Sequence, residues 1–164
     1  MGFFSKLFKG EEDAANTLFA PVDGKAVPVS QVSDPTFADE ILGKGLAIKP
    51  SSNTVYSPCD GTIDLMFDTG HAVNLVSDSG IEILIHIGLD TVSLKGKHFK
   101  TLKNTGDKVR KGDPLIEFEK DEIAKEGFDT IIPIIICNTD SYSEVKPLTD
   151  IDVKVGDKIL TVRK

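Results

Sequence analysis

The chain has 164 residues, enough for one domain with a sizeable core, and a formal net charge of −7. That balance argues against nucleic acid as a partner, because binding its phosphates requires clustered Lys and Arg. Hydrophobic residues make up 40% of the chain, yet no apolar run is long enough to be read as a membrane-spanning helix.

Fourteen glycines and eight prolines punctuate short runs rich in Val and Ile, a pattern that reads as mostly β. The two cysteines, Cys59 and Cys137, fit no metal or redox spacing and read as reduced structural thiols of a cytoplasmic protein. In chain order, MGFFSKLFK sets Phe3, Phe4, Leu7 and Phe8 at helical spacing with Lys6 and Lys9 opposite. Such a head can lie weakly on an anionic membrane surface, or it is a frayed terminus. It has no signal-peptide core, and Lys6 departs from the myristoylation pattern. With the acidic Glu11-Glu12-Asp13 it forms a separate segment over 1–17, ahead of one domain over 18–164.

The domain opens with APVDGKAVPV, ending at Val29, and SPCDGTI, ending at Ile63, echoes it as a second strand–Asp-Gly–strand unit. VRKGDPLI from Val109 and VKVGDKIL from Val153 form a second echo. Together they predict a pseudo-symmetric antiparallel β-sandwich or barrel built from similar hairpins. Between the Asp-Gly units, Asp34 is placed to cap a short helical turn with Pro35 at its first position. Phe37 and Ile41, four apart, would share one face of it, either plugging an edge of the sandwich or docking a partner.

Asp68–Val92 holds two of the three histidines, His71 and His86, in two strand-like runs either side of Ser77-Asp78-Ser79-Gly80. A two-residue loop at Asp78-Ser79 would pair Ser77 with Gly80 and, in the same register, His71 directly with His86, about 4.5–5.5 Å apart. Alternation would then put Val73 and Leu84 on the histidine face and Ile81, Ile83, Ile85 and Ile87 on a core face. Two facing imidazoles can bind a metal, shuttle a proton or carry a group on one ring nitrogen, or they can be two satisfied structural histidines. Further on, His98 in a basic, glycine-containing loop is expected to face solvent. Glu117–Gly127 predicts one short helix, and Ile131–Cys137 a buried strand interrupted by Pro133.

The run GIEILIHIGLDTV, Gly80 to Val92, resembles the active-site signature of the glucose-type enzyme IIA, a phosphocarrier of the bacterial phosphoenolpyruvate-dependent sugar phosphotransferase system. The likeness extends from about Phe19 to the C-terminus through APVDG, DPTFADEILGKGLAIKP, SPCDGTI, DTGHAV and VRKGDPLIEF. It implies an antiparallel β-sandwich with a few helical turns. It also implies that His86 receives phosphate on Nε2, that His71 hydrogen-bonds the phosphoryl group, and that the Thr69 hydroxyl joins the same network. The surface expected to meet partners comprises Phe37, Ile41, Leu42, Phe67, Val73, Leu84, Asp90 and Val92.

The partners implied are the phosphocarrier protein HPr as donor and the cysteine of a sugar-permease IIB domain as acceptor, with the chain monomeric and free-standing. In enteric relatives the same face also binds regulatory targets. Two departures stand out: Gly70 replaces a larger polar residue of familiar members, and Val73 and Leu84 replace aromatic residues of some relatives. No cofactor is required, although His71 and His86 could hold zinc if a partner supplied a third ligand. A zinc peptidase of similar topology would need a third ligand and a base that the chain lacks at the required spacing. A regulatory module without relay activity would be expected to have lost His71, His86 or Thr69.

Overall fold

The computed structural model describes residues 15–164, so the amphipathic reading of residues 1–9 lies outside the described residues. The strands are β1 (Thr17–Phe19), β2 (Gly24–Pro28), β3 (Lys44–Pro50), β4 (Thr54–Tyr56), β5 (Gly61–Met66), β6 (Ala72–Ser77) and β7 (Glu82–His86). They continue with β8 (Phe99–Thr101), β9 (Lys108–Val109), β10 (Pro114–Phe118), β11 (Ile132–Ile136), β12 (Glu144–Pro147), β13 (Ile151–Val153) and β14 (Lys158–Arg163). The helices are α1 (Pro35–Ala38) and α2 (Lys120–Lys125). An eight-stranded sheet runs β13-β2-β3-β11-β7-β6-β5-β9, and two three-stranded sheets run β1-β14-β12 and β4-β10-β8. This is the antiparallel β-sandwich that the alternating pattern predicts.

The sequence echoes become a structural pseudo-symmetry. Gly24 pairs with Val153 and Gly61 with Val109, so each Asp-Gly unit meets one copy of the second echo at opposite edges of the large sheet. Asp23 Oδ1 accepts from the Val155 N–H and Asp60 Oδ1 from the Lys111 N–H, both at 2.8 Å. Each turn aspartate thus ties down the backbone of its partner unit rather than only its own turn.

Two apolar clusters lie on the two faces of the large sheet. Leu46, Ile48, Ile132, Ile134 and Ile136 face the main core with Ile81, Ile83, Ile85 and Ile87. Ala47, Ile131 and Ile135 face a smaller cluster that includes Val27, Val29 and Phe37 beneath α1. β11 is therefore apolar on both faces, which is why it reads as a continuous run rather than an alternating one. Contrary to the expected interruption, it passes through Pro133 unbroken. Its pairing with β3 includes Pro133, while its pairing with β7 begins only at Ile134, so the missing donor falls where the second ladder ends.

The β6–β7 hairpin differs from the expected register by one residue. Ala72 pairs with His86, Val73 with Ile85 and Asn74 with Leu84. The loop has three residues, Asp78–Gly80, with Gly80 in the left-handed region at φ 97. The Ser77 N–H donates to the Ile81 carbonyl at 2.9 Å, and Ser77 Oγ accepts from the Ile81 N–H at 2.9 Å. A three-residue loop closed by a left-handed glycine is a standard hairpin alternative, and the Ser77 hydroxyl favours it here. The slip moves Val73 off the histidine face: it is fully buried against Ile85 in the main core and does not line a partner surface.

Candidate functional site

His86 ends β7 on the outer face of the large sheet, where Leu84 packs against the smaller cluster. His71 stands in the bend just before β6, so its ring is not bound by the alternation of the strand. Its carbonyl accepts from the Ile87 N–H at 2.7 Å, placing it backbone-opposite Ile87 rather than His86. The two rings still meet, with centroids 5.1 Å apart at an interplanar angle of 80°. The bend recovers the pairing that the register would have lost.

Aromatic rings wall the pair on two sides. Phe37 lies 5.2 Å from the His86 ring and Phe67 packs edge-on against His71, also at 5.2 Å. Phe37 reaches that position because Asp34 caps α1, accepting from the Thr36 N–H at 2.9 Å. The helix stops at Ala38 and Glu40 takes φ 58, so Phe37 and Ile41 do not share a helical face as spacing suggested. Phe37 is buried as the wall of His86, whereas Ile41 is 70% exposed. Leu42 and Val92 are also exposed, Asp90 is exposed at φ 60, and Leu84 and Phe67 are half-buried.

The hydrogen bonds set the ring chemistry. His86 Nδ1 lies 2.6 Å from the Gly88 carbonyl, an acceptor only, so Nδ1 carries the proton and Nε2 of the neutral ring has a free lone pair. Gly88 makes this reach available: at φ 78 a Cβ there would meet Thr91 Cγ2 at 2.6 Å and the Asp129 carbonyl at 2.8 Å. Thr91 Oγ1 fastens the same turn by donating to the Ile87 carbonyl at 2.6 Å. Thr69 Oγ1 and His71 Nδ1 share a hydrogen bond, which the hydroxyl can make with either neutral tautomer.

Burial pushes the His71 imidazole down to about 4, with His86 adding to the effect. Burial lowers His86 as well, against the opposing pull of its Gly88 hydrogen bond and the Asp34 and Asp90 charges. Both rings are therefore neutral near pH 7.

The structure thus gathers His71, His86, Thr69, Phe37, Phe67 and Leu84, and leaves Val73 in the core. Sequence reasoning missed Gly88 and Thr91, although the His-x-Gly spacing is the signal for a carbonyl reaching back to its own imidazole. On the paired strands, exposed Leu65 stands opposite Asn74, whose Oδ1 is buried without a hydrogen-bond partner. Among the described residues, no group of three His, Cys, Asp or Glu side chains could hold a metal, so the zinc reading rests on two imidazoles alone. No helix of the described residues is long and apolar enough to cross a membrane.

Comparison with known proteins identifies the family and agrees with the fold. The family described as phosphoenolpyruvate-dependent sugar phosphotransferase system, EIIA 1, matches residues 16–142. The glucose-specific EIIA component of Oceanobacillus iheyensis is 42% identical over 156 residues, 94% of each chain. The beta-glucoside-specific EIIBCA component of Dickeya chrysanthemi is 45% identical over 132 residues, but this chain spans only 21% of that longer protein. Among solved structures, glucose permease IIA from Mycoplasma capricolum superposes with a TM-score of 0.83 at 35% identity, covering 88% of this chain and 93% of that one. On that profile match and a relative aligned along nearly its whole length, this chain belongs to the EIIA 1 family of the phosphoenolpyruvate-dependent sugar phosphotransferase system.

Proposed function

We propose that this chain is a cytoplasmic phosphocarrier that takes a phosphoryl group from phospho-HPr onto His86 Nε2 and passes it to the cysteine of a sugar-permease IIB domain. The relay would drive uptake and phosphorylation of a glucose-type sugar, the specificity that names the Oceanobacillus relative. The observation that carries this reading is the His86 Nδ1–H bond to the Gly88 carbonyl, which directs the lone pair of a neutral ring to Nε2.

In the first step the Nε2 lone pair attacks phosphorus while the bond to the donor imidazole breaks. In the second, the acceptor thiolate attacks phosphorus and the Nε2–phosphorus bond breaks. Because Nδ1 keeps its proton throughout, His86 departs as a neutral imidazole, a good leaving group. Phosphoryl transfer asks the protein mainly for positioning and charge stabilisation. His71 serves that need if Thr69 donates its hydroxyl proton to Nδ1, leaving Nε2–H to donate to a phosphoryl oxygen.

Phe37, Phe67, Leu84 and the exposed Ile41, Leu42 and Val92 supply an apolar rim that a partner can seal against water. Asp34 and Asp90 add negative charge beside it, suited to a cationic residue on the partner. Intact-mass spectrometry after incubation with phosphoenolpyruvate, enzyme I and HPr tests the reading. One acid-labile phosphoryl addition is expected, absent in His86→Ala. No addition with active donors would overturn it in favour of a purely regulatory binding module.

A further inference from the structure

The third histidine does not face open solvent. His98 takes a left-handed backbone, φ 76, which is uncommon for a residue with a Cβ. Its side chain is 12% exposed, with Nδ1 3.3 Å from Glu119 Oε1 and Nε2 2.5 Å from Glu126 Oε2. Lys97 Nζ meets the other Glu126 oxygen at 3.4 Å. The hydrogen bond from His98 draws the Glu126 carboxyl below its usual range. The Glu119 N–H adds a backbone link, donating to the His98 carbonyl at 3.0 Å. Glu119 and Glu126 flank α2, so the residues at both ends of that helix grip one imidazole.

The loop so held is packed on the back of the histidine site. A Cβ on Gly96 would lie 3.8 Å from Thr69 Cα and from the Thr69 carbonyl oxygen. A Cβ on Gly70, itself at φ 71, would come within 2.9 Å of Phe99 Cβ and 3.3 Å of Thr101 Cγ2. The space that a side chain at position 70 would need is thus taken by Phe99 and Thr101. Thr69 and Gly70 immediately precede His71, and the Thr69 hydroxyl is the hydrogen-bond partner of His71 Nδ1.

We infer that His98, gripped by Glu119 and Glu126, is a positioning residue that holds the Gly96–Thr101 segment against Thr69–Gly70 and thereby aims the Thr69 hydroxyl at His71. The inference rests on the reading of His71 as the ring that orients the phosphoryl group. His98 acts through the loop, by its contacts with Glu119 and Glu126. A contact two layers behind a reacting centre matters because small displacements there misalign in-line transfer.

The informative variant is His98→Gly, which removes both carboxylate contacts while suiting the left-handed backbone. With no phosphoryl donor present, the ring 15N resonances of His71 are expected to shift in this variant. Onward transfer to the IIB domain is expected to fall by about tenfold, with acceptance from phospho-HPr much less affected. The double variant Glu119→Ala/Glu126→Ala should reproduce both changes without altering the loop sequence, and Glu126→Gln, which keeps an acceptor oxygen, should retain most of the wild-type behaviour. Unchanged His71 resonances and onward rate in both His98→Gly and the double variant would overturn the inference. Should the wild-type chain accept no phosphoryl group, the functional reading fails, and the donor-free resonances still decide whether the clasp sets His71.

Discussion

His86 Nδ1 donates to the carbonyl of Gly88, two residues along the same chain, at 2.6 Å. The proton on the His86 ring is therefore placed by backbone, and no substitution of a neighbouring side chain removes the Gly88 carbonyl. Replacing the ring itself tests the proposed role of His86. In His86→Ala, label from phosphoenolpyruvate through enzyme I and HPr should be absent. His71→Gln should still take up label and fail to release it to a IIB domain. Label persisting in His86→Ala would move the acceptor elsewhere.

Both site rings are held below the ordinary histidine value of 6.5, His71 at about 4. Between those values the unfolded chain binds more protons than the folded one, so stability rises with pH across that window. The contribution is complete above 6.5 and is lost as pH falls toward 4. Urea midpoints should therefore drop between about pH 7 and about pH 5, and drop less in His71→Gln. An equal drop in both proteins would show that His71 is not the titrating group.

Phe37 and Ile41 part company at the end of α1, and their substitutions should part company too. Phe37→Ala empties a buried wall of His86 and is expected to destabilise by about 3–5 kcal/mol. Ile41→Asp and Val92→Asp alter side chains 70% and 54% exposed, and should leave stability within about 0.5 kcal/mol while weakening association with HPr. Denaturant melts and calorimetric titration with HPr separate the two effects.

The thiols are expected to differ in the native protein. Cys59 is buried beside Asp60 and Asp78, and burial pushes its thiol up to about 12. Cys137 is exposed. Iodoacetamide should modify Cys137 alone under native conditions and both cysteines in denaturant, as read by peptide mass mapping. Rapid native modification of Cys59 would contradict its burial.

Much of the site was legible because its chemistry is carried by short, local patterns. Asp34-Pro35 announced the cap of α1, alternation through Ile81–Ile87 announced the core face, and the Asp-Gly echoes announced pseudo-symmetric edges. His71 and His86 were legible as a pair from one hairpin, and the family resemblance added Thr69. The errors cluster where one residue of loop length, or the end of a short helix, decides a face. Ser77 hydroxyl bonding turned a two-residue loop into three and sent Val73 into the core. The end of α1 at Ala38, three residues short of Ile41, with Glu40 at φ 58, separated Phe37 from Ile41.

The amino-acid sequence by itself determined the class of fold and the core face of Ile81–Ile87, because periodicity and turn formers act over a few neighbouring residues, and the family resemblance of its motifs singled out His71 and His86. Tertiary structure alone decided that His71, from the bend before its strand, meets His86, and that His98 is gripped by both ends of α2. Those outcomes depend on contacts between segments distant in sequence, whose distances no local pattern encodes.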